Sequence, residues 1–129
     1  MICAIIGDSI ALGLAMANPG CHVNAVVGRS SAVIAAQAIP DHPHSWAILS
    51  TGSNDPSNPR LRNNALLLRA KLAKTPTIVW VLPRNRRAAG IIRSVAVSFG
   101  DRVIEFTPSR DGVHPRSYGT LMRQIRNIL

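Results

Sequence analysis

Five short β-rich apolar runs alternate with five helical stretches along this chain, and that alternation constrains the fold more than any other feature. Residues 2–6, 46–49 and 77–82 (the last reading TIVWVL) are continuous apolar runs, the pattern of strands buried on both faces. Residues 23–27 and 102–106 are β-rich but carry polar interruptions, as expected nearer a sheet edge. Between them, residues 9–17 and 30–38 predict short helices, the second with Ser30 as N-cap. Residues 59–74 place Leu61, Ala65, Leu68 and Leu72 on one stripe, with Pro59 suited to the first turn. Residues 86–99 align Ala88, Ile92, Val95 and Phe99, and Gly100 is the expected stop. A last helix, opened by Pro115, spaces Tyr118, Leu121, Met122, Ile125, Ile128 and Leu129 along one face.

Strands alternating with helices imply a parallel sheet covered on both faces, with right-handed crossovers. The two edge-like runs are the second and fifth, which fits strand order 2-1-3-4-5. The expected architecture is therefore α/β, a three-layer α/β/α sandwich around a flavodoxin-like five-stranded parallel sheet. The 129 residues fit one domain spanning 1–129. Aromatics make up only 4 %, so the core must be built from Ala, Val, Ile and Leu, which the 47 % hydrophobic content supplies.

Ligands of an open α/β sheet bind outside the carboxyl ends of its strands. The residues following each run belong together on that argument: Gly7-Asp8-Ser9, Gly28-Arg29-Ser30, Gly52-Ser53-Asn54-Asp55, Pro83-Arg84-Asn85-Arg86-Arg87, and Asp111-Gly112-Val113-His114-Pro115. One rim thus carries what acyl transfer requires. A serine hydroxyl is a weak nucleophile and needs an adjacent base, for which His114 is the candidate. Asp111 would orient that imidazole and stabilise its protonated form. The Gly28 N–H, the Asn54 side-chain amide and the Ser9 N–H could hold a tetrahedral oxyanion.

Taken in order, these blocks resemble the SGNH (GDSL-like) hydrolases. Gly7-Asp8-Ser9-Ile10 looks like the GDSL block, and Gly28 stands where the second block has its glycine. Gly52-Ser53-Asn54-Asp55 matches G-x-N-D, and Asp111-Gly112-Val113-His114 matches the closing D-x-x-H. The resemblance covers the whole chain and implies a minimal version of that family's fold. It further implies Ser9 as nucleophile, Gly28 and Asn54 as oxyanion donors, His114 as base, Asp111 completing the triad, and no cofactor. The expected activity is hydrolysis of a short acyl (acetyl) ester, with a lysophospholipase or thioesterase as the alternative within the fold. A non-catalytic module binding an acidic polymer is the alternative outside it.

Several residues also have plainer readings. Ser9 could cap its helix, Asn54 and Asp55 could form a turn before Pro56, and Asp111 and His114 could merely precede the last helix. Asp8 and Asp55 read as structural groups holding the rim loops. Asp41-His42-Pro43-His44 has too few ligands for a metal site, and none is expected. The fingerprints G-x-S-x-G, G-x-G-x-x-G and G-x-x-x-x-G-K are absent.

Fifteen Lys+Arg face six Asp+Glu, a formal +9, nearly all of it Arg. Several Arg lie near rim loops, and Arg84, Arg86 and Arg87 are the candidates to hold an anionic, O-acetylated carbohydrate. Arg69, Arg93, Arg123 and Arg126 read as solvent-facing helix positions. Nucleic acid is an unfavoured partner, since aromatic residues for base stacking are lacking. Cys3 and Cys21 read as free core thiols, with a bridge between neighbouring strands as the alternative. Residues 1–17 end in an A-x-A-like site but have no basic lead and are broken by Gly7-Asp8-Ser9, so a cleaved signal is not expected and a cytoplasmic location is. No segment has the unbroken apolar length of a membrane span.

Overall fold

The computed structural model describes residues 2–39 and 44–129. Its elements run β1 (Cys3–Gly7), α1 (Ser9–Ala17), β2 (His22–Ala25), α2 (Ser31–Ala35), β3 (Trp46–Ser50), α3 (Leu61–Ala70), β4 (Thr77–Val81), α4 (Arg86–Phe99), β5 (Arg102–Ile104) and α5 (Tyr118–Ile128). The strands form one parallel sheet in the order β2-β1-β3-β4-β5, as the placement of the polar-interrupted runs predicts.

Alternation along each strand divides the core. Ala4, Ile6, Ala47, Leu49, Ile78 and Trp80 point to one side, where they pack with Ile34 of α2, Leu61, Ala65 and Leu68 of α3, and Ile92 and Val95 of α4. Ile5, Ile48, Val79 and Val81 point to the other, against Ile10, Ala11 and Leu14 of α1 and Leu121, Met122 and Ile125 of α5. Both faces of the central strands are thus covered, which explains their unbroken apolar sequence. α1 and α5 approach closely because residue 13 is glycine. A Cβ there would fall 2.3 Å from the Tyr118 ring.

The register brings the strand ends level. Gly7 pairs with Ala25 and Ser50, Ser50 with Val81, and Val81 with Ile104. Everything that follows these five residues therefore emerges at one rim. Gly7 has φ +147°, and a Cβ on it would lie 1.9 Å from the Ser50 carbonyl oxygen, so only glycine fits there.

Four local expectations change. Cys3 and Cys21 are not free thiols but form a disulfide with Cα atoms 4.7 Å apart. Ala4 pairs with His22, so the preceding residues are set side by side, a relation that depends on strand register. Arg69 does not face solvent: it is 8 % exposed and bonds both carboxylate oxygens of Asp101, at 2.7 and 3.1 Å. Phe99, expected on the buried stripe, is 46 % exposed, with the Arg69 guanidinium 4.7 Å from its ring centre. The last helix begins at Tyr118 rather than Pro115, because the Ser117 hydroxyl caps it by accepting from Thr120 N–H. Among the described residues, no helix is long and apolar enough to cross a membrane.

Candidate active site

The short path from β1 into α1 sets the first site residue. Asp8, not Ser9, is the N-cap: its Oδ1 accepts from Ile10 N–H at 3.1 Å and from the Ser50 hydroxyl at 2.8 Å. The same carboxyl therefore starts the helix and ties β1 to β3. It is fully buried, its Oδ2 has no hydrogen-bond partner, and burial raises its pKa above the ordinary value. Capping by Asp8 leaves the Ser9 hydroxyl available for a distant partner. Ser9, as the first helical residue, also has a backbone N–H with no intrahelical acceptor.

That partner arrives from the loop after β5. Ser9 Oγ lies 2.9 Å from His114 Nε2, and His114 Nδ1 lies 2.6 Å from Asp111 Oδ2. An ionised carboxylate only accepts, so the Nδ1 proton belongs to the bond with Asp111. The lone pair on Nε2 is then free to accept from the Ser9 hydroxyl. Asp111 Oδ1 accepts from His114 N–H (2.9 Å), Val113 N–H (2.9 Å) and the Ser109 hydroxyl (2.8 Å). These donors, led by the backbone of His114 and Val113, hold the Asp111 carboxyl well below the usual carboxylate range. The turn is clamped in place: Ser109 N–H donates to the His114 carbonyl, Pro108 bridges to Pro115, and Arg116 N–H donates to the Thr107 carbonyl. The row is open to solvent, with the His114 and Asp111 side chains 40 % and 50 % exposed.

The two loops expected to supply oxyanion donors are latched together. Gly28 sits in the turn between β2 and α2 with φ +82°. Asn54 Nδ2 donates to the Arg29 carbonyl at 2.9 Å, which occupies one amide hydrogen and leaves the second. Asp55 accepts from Ser31 N–H (2.9 Å), the Ser31 hydroxyl (2.6 Å) and Asn58 Nδ2 (2.9 Å), while Asn64 donates to the Ser31 hydroxyl. Sequence reading places Asp55 correctly among the loop-holding groups but gives no sign of Ser31, Ser50, Asn58 or Asn64. Ser109 alone had a local signal, standing two residues before Asp111 in a turn.

The three rim arginines separate. Arg87, also exposed, donates to the Pro56 carbonyl at 2.5 Å and to the Asn58 carbonyl, so it braces the loop after β3. Arg84 and Arg86 are exposed beyond β4. Asp41 and His42 lie outside the described residues. His44 is buried, its ring 6.4 Å from that of His22, and no group of three His, Cys, Asp or Glu among the described residues could hold a metal.

The 2-1-3-4-5 parallel sheet with helices on both faces is an SGNH-like α/β/α fold, and Ser9, His114 and Asp111 stand in hydrogen-bonded series at its carboxyl rim. Over 98 % of its length the chain superimposes on 90 % of a solved structure, with TM-score 0.61 and 17 % identity. That structure is the C-terminal catalytic domain of peptidoglycan O-acetyltransferase A from Streptococcus pneumoniae, with a methylsulfonyl adduct. No protein-family model matches the chain, and no curated protein does.

Proposed function

We propose that this protein is a serine esterase of SGNH type, removing acetyl or another short acyl group from an oxygen ester. The observation that carries the reading is the continuous Ser9–His114–Asp111 hydrogen-bonded row. His114 Nε2 takes the Ser9 proton as Oγ attacks the ester carbonyl. The Gly28 N–H, the free Asn54 amide hydrogen and the Ser9 N–H receive the oxyanion. Collapse expels the alcohol, which leaves with the proton held on His114. Water, deprotonated by the same nitrogen, then attacks the acyl-enzyme. The second tetrahedral intermediate releases the acid and returns the proton to Ser9.

The exposure of His114 and Asp111 favours short acyl groups over lipid chains, since an open site gives a long chain little apolar enclosure. Acetyl transfer to a sugar hydroxyl is a second reading. It shares the acyl-enzyme and differs only in the acceptor, and the similar domain is that of an O-acetyltransferase. The Cys3–Cys21 bridge argues against the cytoplasmic location expected from the sequence and for an oxidising compartment.

The deciding experiment compares a chromogenic acetate ester with parent, Ser9→Ala and His114→Ala proteins. Each substitution should lower kcat/KM roughly a thousandfold or more. An added sugar alcohol that raises turnover and captures the acetyl group would identify transfer. Equal trace rates in all three proteins, with no labelling of Ser9 by a sulfonyl fluoride, would overturn the enzyme reading in favour of a binding module.

A further inference from the structure

The positive charge of this chain is unevenly committed. Arg29 donates to Asn24, Arg62 to Ser94, Arg69 to Asp101, Lys71 to the Gln37 carbonyl, Arg87 to Pro56 and Arg93 to Glu105. Among the exposed cations that make no such bond, which include Arg60, Lys74, Arg84, Arg86, Arg102 and Arg126, Arg110 and Arg116 are set apart by their place. Both are exposed, and neither has an ion-pair or hydrogen-bonding side-chain partner among the described residues. They stand at the two ends of the turn that carries Asp111 and His114, and both line one cavity of about 430 Å³ with Pro108 and Ser109. Arg116 also lines a second cavity of about 350 Å³, floored by Phe106 and Leu121 and edged by Thr107, Ser117, Thr120 and Gln124.

Asp111 is the one acid between residues 106 and 117, and it makes no ion pair with either arginine. Its Oδ1 is occupied by three donors and its Oδ2 by the His114 ring. The backbone bonds that clamp this turn also fix where both arginine side chains begin. Two unpaired guanidinium groups at a cavity mouth, beside a pocket edged with hydroxyl and amide groups, suit a polyhydroxylated molecule bearing a compact oxyanion.

We infer that Arg110 and Arg116 form a subsite for a carboxylate or phosphate group on a glycan ester, holding it at the turn that carries His114. This rests on the esterase reading for its substrate and moves the anion-binding role from Arg84, Arg86 and Arg87 to the turn after β5. The free base of the turn thereby gains a neighbour that selects anionic over neutral esters.

The test measures kcat/KM for mono-O-acetyl glucuronate, mono-O-acetyl glucose 6-phosphate and mono-O-acetyl glucose. Proteins compared are the parent, Arg110→Gln/Arg116→Gln, Arg84→Gln/Arg86→Gln, and Lys74→Gln/Arg126→Gln as a charge-matched control. The parent should prefer an anionic ester. The Arg110/Arg116 double variant should lose roughly three- to tenfold of that preference, through KM, as should the parent at high salt. The glucuronate and phosphate arms show which oxyanion is taken. An undiminished preference, or an equal loss in either other variant, overturns the subsite. If the parent hydrolyses none of the esters, glucuronate and glucose 6-phosphate binding is read by titration calorimetry. Weakening confined to the Arg110/Arg116 variant then upholds the subsite while the esterase reading fails, and equal binding in all proteins overturns it.

Discussion

Replacing Asp55 with alanine should uncouple the loop after β2 from the loop after β3. The carboxylate accepts three hydrogen bonds, two from Ser31 and one from Asn58. Ser31 is 1 % exposed, so water does not readily replace what Asp55 supplies to it. Hydrogen bonds to a charged group contribute about 1.5–3 kcal/mol each, and a buried donor left without an acceptor costs about 1–3 kcal/mol. The three are not additive, because they share one carboxylate and Asn58 can turn toward solvent. A net loss of about 2–4 kcal/mol follows, or roughly 10 °C in Tm for a chain of this size. Activity should fall further than stability explains. Asn54 is the next residue and shares this loop, and its amide is aimed through its bond to the Arg29 carbonyl. Losing one oxyanion donor costs roughly 100- to 1000-fold in kcat. Asp55→Asn, which keeps one acceptor for Ser31 N–H, should fall between the parent and Asp55→Ala in both respects. Thermal unfolding combined with acetate-ester kinetics at 25 °C, well below either Tm, separates the two effects. An Asp55→Ala protein within about 0.5 kcal/mol of the parent and equally active would refute the reasoning.

Three other outcomes are expected. Arg69→Ala leaves Asp101 buried with only the Trp80 indole N–H as a partner at 2.9 Å, and should cost about 3 kcal/mol by denaturant titration without touching ester kinetics. Reducing the Cys3–Cys21 bridge, which closes a loop of sequence separation 18, should cost about 3 kcal/mol. The bridge lies at the amino ends of β1 and β2, away from the rim, so turnover at 25 °C should survive reduction. The two perturbed carboxyls act oppositely with pH. Asp111, held below its ordinary pKa, contributes stability that is present above that ordinary value and lost as pH falls through the folded one. Asp8, raised by burial, favours the fold below its ordinary value and loses that advantage as pH rises through the folded pKa. Asp8→Asn should therefore gain stability relative to the parent between pH 4 and 7, read as a difference in Tm. A difference that stays constant or shrinks over that interval would refute the raised pKa of Asp8.

Local pattern alone determined much of this protein. Continuous apolar runs named the central strands, polar interruption at Asn24 and around residue 102 named the edges, and a 3.6-residue stripe named α3, α4 and α5. The order of the sheet followed from those assignments, and the residues after each strand followed from the order. That placed Ser9, Gly28, Asn54, Asp111 and His114 in loops expected at one rim, and hydrogen bonds join Ser9, His114 and Asp111 there. What tertiary structure alone decided involves partners far apart in sequence. Ser9 and His114 meet across 105 positions, Asp55 and Ser31 across 24, and Arg69 and Asp101 across 32. Periodicity reports which face a side chain takes, but not which polar group waits there. Hence Arg69 read as a solvent residue although it is buried against a carboxylate, and the bond from Arg87 to the Pro56 carbonyl went unforeseen. The pairing of Cys3 with Cys21 likewise depended on strand register, which sets residues 3 and 21 abreast and which composition does not encode.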